Sequence, residues 1–207
     1  CGRMPDGFVD LVVTSPPYDN LRTYNGFSWD FEALARELFR VVKKGGVVVW
    51  VVGDATVNGS ETGTSFRQAL YFKEIGFNLH DTMIYLKQNP VPLTHNRYEQ
   101  CFEYMFVMSK GRPSVFNPLT QNTSTVGTIS RYTQKKADGS NNYATRKRDE
   151  HTEVKPTQFR HNAFLYSVGN RETGSHPAPM PEGLAKDHIL SWSNENDIVY
   201  DPFMGSG

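Results

Sequence analysis

Apolar residues in this chain gather into short, β-branched runs separated by amphipathic stretches. Phe8 to Thr14 (FVDLVVT) is such a run, and the Pro16-Pro17 pair behind it cannot continue a hydrogen-bonded ladder. It predicts a buried parallel strand with its carboxyl end at Ser15. Phe31 to Lys44 sets Phe31, Leu34, Leu38 and Val41 at helical spacing, carries basic residues in its last turn and meets Gly45-Gly46, which predicts an amphipathic helix stopped by the glycine pair. Val47 to Val52 (VVVWVV) reads as a second buried strand ending at Gly53-Asp54, and Ser65 to Ile75 as a second helix stopped by Gly76. Leu79 to Leu86 and Phe102 to Met108 read as two more strands, able to form a hairpin at a sheet edge. After a proline-rich stretch from His176, a helix begins near Glu182 with Leu184, His188, Ile189 and Trp192 on one face, and Asp197 to Tyr200 is the last strand. The alternation of strands and helices predicts an α/β fold.

From about Gly111 to Ser167 the pattern changes. Asn, Thr, Ser, Gln and Gly dominate and periodicity fades, so the chain divides into residues 1–110, an insertion over 111–167, and 168–207. Between Arg131 and Arg160 eight basic residues (Arg131, Lys135, Lys136, Arg146, Lys147, Arg148, Lys155, Arg160) face four acidic ones, with Tyr132, Tyr143 and Phe159 interleaved. Such a segment either binds phosphates and base edges or is a solvated insertion with no ligand.

Over the whole chain, 22 Lys and Arg balance 22 Asp and Glu, so nucleic-acid binding would have to come from that local patch. Cys1 and Cys101 are the only cysteines, one terminal and one in an apolar run, which argues against a disulfide framework and leads us to expect a cytoplasmic protein. No apolar run reaches the length of a membrane span, so membrane attachment is not expected. The chain opens on Cys1 and closes inside a glycine loop at Gly207; a fragment of a longer protein is expected on that ground. His80, His95, His151 and His161 have no ligand spacing with either cysteine, so no metal site is expected.

Ser15-Pro16-Pro17-Tyr18 would stand at the carboxyl end of a parallel strand, the edge where open α/β sheets hold ligands. An exocyclic amino group on a base is a poor nucleophile, because its lone pair is delocalised into the ring. Acceptors on its two hydrogens would favour a pyramidal nitrogen able to attack a methyl donor. The Ser15 hydroxyl and the Pro16 carbonyl are candidate acceptors, the prolines stiffen the backbone, and Tyr18 offers a stacking face for an unstacked base. Alone, the motif could equally do no more than end a strand. Asp201-Pro202-Phe203-Met204-Gly205-Ser206-Gly207 follows the last strand; its amides could meet a nucleoside cofactor and Asp201 could pair with the cofactor's amino group, although an isolated Gly-x-Gly is also an ordinary strand-to-helix turn. Asp54 could reach the same pocket or cap the next turn. Neither cysteine follows a strand in a Pro-Cys pair, which speaks against ring-carbon methylation through a thiolate.

Taken together, Thr14-Ser15-Pro16-Pro17-Tyr18 and the Asp201 to Gly207 loop resemble the catalytic and cofactor motifs of the amino-methylating DNA methyltransferases, the N4-cytosine/N6-adenine family. Their order, catalytic motif first, resembles its circularly permuted beta group. The likeness extends to Tyr18-Asp19-Asn20-Leu21-Arg22, the Gly45-Gly46 turn, Tyr98 to Gly111 (YEQCFEYMFVMSKG), the polar insertion, and His176-Pro177 with Pro181; Met180 stands where the family often has Lys. The resemblance implies a Rossmann-like S-adenosylmethionine-dependent fold, a mostly parallel sheet with helices on both faces and an inserted target-recognition region. Ser15, Pro16, Pro17 and Tyr18 would be catalytic. Asp201, Pro202, Phe203, Gly205, Gly207, His176 and Pro181 would hold S-adenosylmethionine, and Arg131, Lys135, Lys136, Arg146, Lys147 and Arg148 would contact double-stranded DNA. Ser at the first position of the tetrapeptide implies cytosine N4 as the target. Adenine N6 is the alternative within the family, and an RNA or protein amino-methyltransferase or a non-catalytic DNA-binding fragment the alternative outside it. A homodimer and a cognate restriction endonuclease are compatible with the resemblance.

Overall fold

The computed structural model describes residues 3–18, 29–90, 96–124, 129–130, 152–153, 155–167 and 180–204. Its elements in chain order are β1 (Val9–Thr14), α1 (Phe31–Val41), β2 (Val42–Val52), β3 (Thr56–Val57), β4 (Ser60–Glu61), α2 (Thr64–Glu74), β5 (Asn78–Lys87), β6 (Phe102–Ser109), β7 (Thr120–Asn122), β8 (Ile129–Ser130), β9 (Thr152–Glu153), β10 (Thr157–Phe159), β11 (Ala163–Tyr166), α3 (Glu182–Trp192) and β12 (Val199–Tyr200). Two compact units result, one of residues up to Asn117 together with those from His161, the other Pro118–Arg160.

The first unit is built on a six-stranded sheet of order β11-β5-β6-β2-β1-β12. β12, β1 and β2 pair in parallel, as do β5 and β11, while β6 is antiparallel to both its neighbours. Five strands therefore point one way and β6 alone the other. The carboxyl ends of β1, β2, β5, β11 and β12 and the amino end of β6 share one edge. Alternation along the strands creates two apolar faces. Val12, Val48, Trp50, Val52, Phe106 and Met108 meet Ala35, Leu38 and Val41 of α1 and Ala69 and Phe72 of α2 in one buried cluster. Trp50 is fully buried, and its indole N–H finds the Gln68 Oε1 of α2 at 2.8 Å, so the indole is not stranded in that layer. The opposite face carries Met83, Met105, Val47, Val49, Val51, Leu11 and Val13, and is covered by α3, whose buried His188 lies 3.2 Å from Met105 Sδ and stacks on Phe164.

The first helix departs from its expected end. α1 stops at Val41 rather than at Gly45-Gly46, and the glycine pair lies within β2. The Lys110 ammonium closes the helix instead, donating to Phe39 O at 2.6 Å and Val42 O at 2.9 Å. The glycines form a bulge: pairing with β1 jumps from Val9↔Val42 to Leu11↔Val47, and Gly45 takes a left-handed φ of +85°. Lys43 in that bulge reaches Asp10 at 2.7 Å.

The second unit contains an antiparallel pair of β7 with β10 and another of β8 with β9. Its boundaries fall inside the 111–167 stretch, because Ala163–Tyr166 pairs with β5 as the edge strand β11 of the main sheet. With Phe164 its one buried residue, that strand is too short to reveal a period. Among the described residues no helix is long and apolar enough to cross a membrane.

Candidate active site

β1 ends in the fully buried Thr14, and the next four residues turn outward at the carboxyl edge, Pro16 buried and Ser15, Pro17 and Tyr18 half-buried. β12 runs parallel beside β1 with Val12 opposite Tyr200, so the residues that follow the two strands emerge side by side. Thr14 Oγ1 donates to Asp201 Oδ1 at 2.5 Å, and the Phe203 amide donates to the same oxygen at 2.8 Å. Burial raises the Asp201 carboxyl above its ordinary range, and these two bonds partly counter the rise. Phe203 sets its ring edge-on against Trp29 at 5.0 Å.

On the other side of Ser15 a polar chain begins. Ser15 Oγ lies 2.8 Å from the Tyr18 hydroxyl, which donates to Glu103 Oε2 at 2.8 Å. Glu103 stands at the amino end of β6, and its Oε1 pairs at 2.7 Å with Lys87 Nζ from the carboxyl end of β5. Gly53, just past β2, lies beside the pair: a Cβ there would stand in ordinary contact with the Tyr18 ring, 3.6 Å from two of its carbons, and with Glu103 Cγ at 3.5 Å. Tyr85, opposite Glu103 on β5, is pushed up to about 12 by burial and by that carboxylate, and so keeps its proton.

Of the residues expected to form the site, Ser15, Pro16, Pro17, Tyr18, Asp201, Pro202 and Phe203 therefore meet at one edge. Pro181 caps α3, its carbonyl accepting from the Leu184 and Ala185 amides at 3.0 and 3.2 Å. Gly183 of that turn packs beside Tyr166 at the carboxyl end of β11, so α3 starts at the same edge. His176, Gly205 and Gly207, and the basic set Arg131, Lys135, Lys136, Arg146, Lys147 and Arg148, lie outside the described residues. Asp54 makes the capping contacts expected of one of its two roles: it accepts from the Ser65 amide at 2.9 Å and hydroxyl at 2.5 Å at the start of α2, whose N-cap Gly63 has no side chain to offer. Among the described residues no group of three or more His, Cys, Asp or Glu could hold a metal ion.

Sequence reasoning misses the parts played by Glu103, Lys87 and Thr14. One signal for Glu103 exists: in FEYMFVMS it shares its side of the strand with Met105 and Val107, a lone charge opening an apolar face.

The model of the N6/N4 DNA methylase family matches residues 9–207. The chain belongs to that family. It is 52% identical over 213 residues to the orphan methyltransferase M.BamHII of Bacillus amyloliquefaciens, covering 98% of this chain and 78% of the relative. The Type II methyltransferase M.BglII of Bacillus subtilis is 26% identical over 220 residues, 99% of this chain and 56% of that protein. Among solved structures, the cytosine-N4-specific PvuII DNA methyltransferase superposes with a TM-score of 0.65 at 18% identity, over 97% of this chain and 69% of its own. A Thermus thermophilus protein solved in complex with S-adenosyl-L-methionine gives 0.58 at 22%, over 98% and 74%. These likenesses establish the shared fold.

Proposed function

We propose that this DNA methylase transfers the methyl group of S-adenosylmethionine to the exocyclic N4 of a cytosine turned out of duplex DNA, and that it belongs to the permuted beta group. The observation that carries the reading is the 2.5 Å bond from Thr14 to Asp201, which fastens the residue preceding Ser15-Pro16-Pro17-Tyr18 to the first residue of the glycine loop. A methyl donor and an amino acceptor held at these two loops would meet at one strand edge. Supporting it, the Thermus protein and M1.HpyAVI were both solved with S-adenosylmethionine.

The residues present suit that cofactor. Among the described residues both bonds to Asp201 fall on Oδ1, and burial, which raises its pKa, would be countered by a cation placed beside the carboxylate. The α-ammonium of the methionine part is such a cation. When bound, the cofactor supplies an electrophilic methyl and leaves as a neutral thioether, and the methylated amino group gives up one proton to solvent. Ser15 Oγ and the Pro16 carbonyl accept from the two amino hydrogens and so turn the nitrogen lone pair toward the methyl. Tyr18 stacks on the extruded base and repays part of the cost of unstacking it. Pro181 and Phe203 line the cofactor's side, with His176, Gly205 and Gly207 completing it. The 111–167 stretch, with Arg131, Lys135, Lys136, Arg146, Lys147 and Arg148, reads the DNA. The name Type II methyltransferase, carried by several relatives, supports a restriction–modification setting.

The deciding experiment incubates the protein with plasmid DNA and methyl-labelled S-adenosylmethionine, digests the DNA to nucleosides and separates them. Label in 4-methylcytosine is expected. Label in 6-methyladenine would keep the reaction and overturn the base assignment; no label in DNA, with label appearing in parallel reactions given RNA or protein instead, would overturn the substrate.

A further inference from the structure

The 2.8 Å contact between Ser15 Oγ and Tyr18 Oη joins two hydroxyls, either of which could give the proton. The rest of the chain decides which. Lys87 Nζ, 2.7 Å from Glu103 Oε1, can only donate, and a carboxylate in an ion pair can only accept. Glu103 Oε2 must therefore receive the Tyr18 proton across its 2.8 Å contact. A phenol has one proton. With that proton committed to Glu103, Tyr18 Oη faces Ser15 with lone pairs alone, and the Ser15 hydroxyl must point its own hydrogen at Tyr18. What Ser15 then shows to the strand edge is its lone pairs.

We infer that Glu103, held by Lys87, is a positioning residue that sets the polarity of the Ser15 hydroxyl through Tyr18, so that Ser15 meets an incoming N–H as an acceptor and never as a competing donor. The inference rests on the amino-transfer reading above. A free serine hydroxyl would spend part of its time with its hydrogen toward the substrate, where it repels the amino hydrogens and blocks the lone pair needed to orient them. The device is built from groups that approach from three separate strands. Ser15 and Tyr18 follow β1, Glu103 is the second residue of β6, and Lys87 closes β5; Glu103 and Lys87 are largely shielded, at 16% and 21% side-chain exposure, so water competes little for the two bonds.

Glu103→Gln tests this without a change of size. In the variant Lys87 keeps the amide oxygen, which turns the amide N–H₂ toward Tyr18 and reverses the chain: the introduced amide would donate to Tyr18, Tyr18 to Ser15, and Ser15 outward to the substrate. We expect kcat for transfer to a DNA amino group to fall by about tenfold or more, the loss of one oriented hydrogen bond in the transition state, with KM for S-adenosylmethionine unchanged. In a Ser15→Ala background, where no hydroxyl is left to orient, the same Glu103→Gln change is expected to leave kcat where Ser15→Ala alone puts it. Tyr18→Phe, which keeps the ring and cuts the relay, provides a second route to the same cycle if Glu103→Gln folds poorly by circular dichroism. A purely structural role for Glu103 predicts losses that multiply with Ser15→Ala, and that result overturns the inference. If the wild-type protein transfers no methyl group to DNA, or if Ser15→Ala leaves kcat untouched, the amino-transfer reading itself fails. If Ser15→Ala lowers kcat and Glu103→Gln does not, only the relay fails.

Discussion

Thr14→Val probes the bond that ties the two candidate-site loops together. Thr14 is fully buried and its hydroxyl serves Asp201 Oδ1 at 2.5 Å; valine keeps the shape and removes the donor. A hydrogen bond to a charged group contributes about 1.5–3 kcal/mol. Asp201 is only half-buried and retains the Phe203 amide at 2.8 Å, so solvent and that second donor replace part of the loss. Discounted for that replacement, about 1–2 kcal/mol is the expected cost. For a domain of this size each kcal/mol lowers Tm by about 2–4 °C, so the variant should melt about 2–8 °C below wild type. A double-mutant cycle isolates the bond from the change in side chain. Urea denaturation of Thr14→Val, Asp201→Ala and the double variant should give a coupling of about 1 kcal/mol or more, since removing either partner already abolishes the bond. A coupling within about 0.3–0.5 kcal/mol of zero, the scatter of independent sites, would refute the claim that Thr14 and Asp201 form one energetic unit. Under the proposed function the same Thr14→Val change should also weaken S-adenosylmethionine binding measured by calorimetry, because it frees Asp201 from its orientation.

Gly46→Ala should destabilise the fold by about 2 kcal/mol or more in the same denaturation assay, because its Cβ would stand 2.8 Å from Asp10 O and Val42 Cγ1 and 3.0 Å from Lys43 O, with backbone on two sides that cannot yield. Asp201→Asn should alter the pH profile of stability: the native carboxyl titrates above its ordinary value of 3.8, so the folded state binds the proton more tightly, and the wild type loses stability relative to the variant as pH rises from 3.8 through the raised native value. A constant difference across that window would count against the raised titration. Replacing Arg146, Lys147 and Arg148 together by alanine should weaken DNA binding and flatten its dependence on salt, by about 0.9 in the logarithmic slope for each phosphate the variant no longer neutralises; an unchanged slope would place the phosphate contacts elsewhere.

The strands and helices were legible because their signals are local. FVDLVVT and VVVWVV have the β-branched density of buried strands, and Leu34, Leu38 and Val41 mark one helix face. The end of α1 was not legible, since a glycine pair after basic residues is the same local pattern whether it caps a helix or bulges a strand. The choice is made by Lys110, distant in sequence, whose ammonium takes the Phe39 and Val42 carbonyls and whose own carbonyl accepts the Gly45 amide at 2.7 Å. β11 escaped for a different reason, four residues being too few to show alternation.

The candidate site divides along the same line. Ser15, Tyr18 and Asp201 could be read from motifs because each motif packs its chemistry into consecutive positions, while Thr14, Lys87 and Glu103 enter through strand register. Thr14 and Asp201 are 187 positions apart, and Tyr18 and Glu103 are 85 apart. What brings the first pair together is the parallel pairing of β1 with β12, which sets Val12 beside Tyr200 and so delivers the next residues of both strands to one point. What brings the second is β6, the one strand of that sheet that runs backwards: its amino end is the only part of it that reaches the ligand edge, so a charge placed at Glu103 arrives where a charge at Met108 could not. The reversal of β6 thus has a chemical consequence. Parallel strands present the residues that follow their carboxyl ends, whereas an antiparallel strand inserted among them presents residues near its amino end, here Glu103 from within the ladder, its backbone paired with Tyr85 on β5. A carboxylate so fixed can hold the direction of a hydroxyl relay more firmly than one on a loop, which is the property the polarity of Ser15 requires.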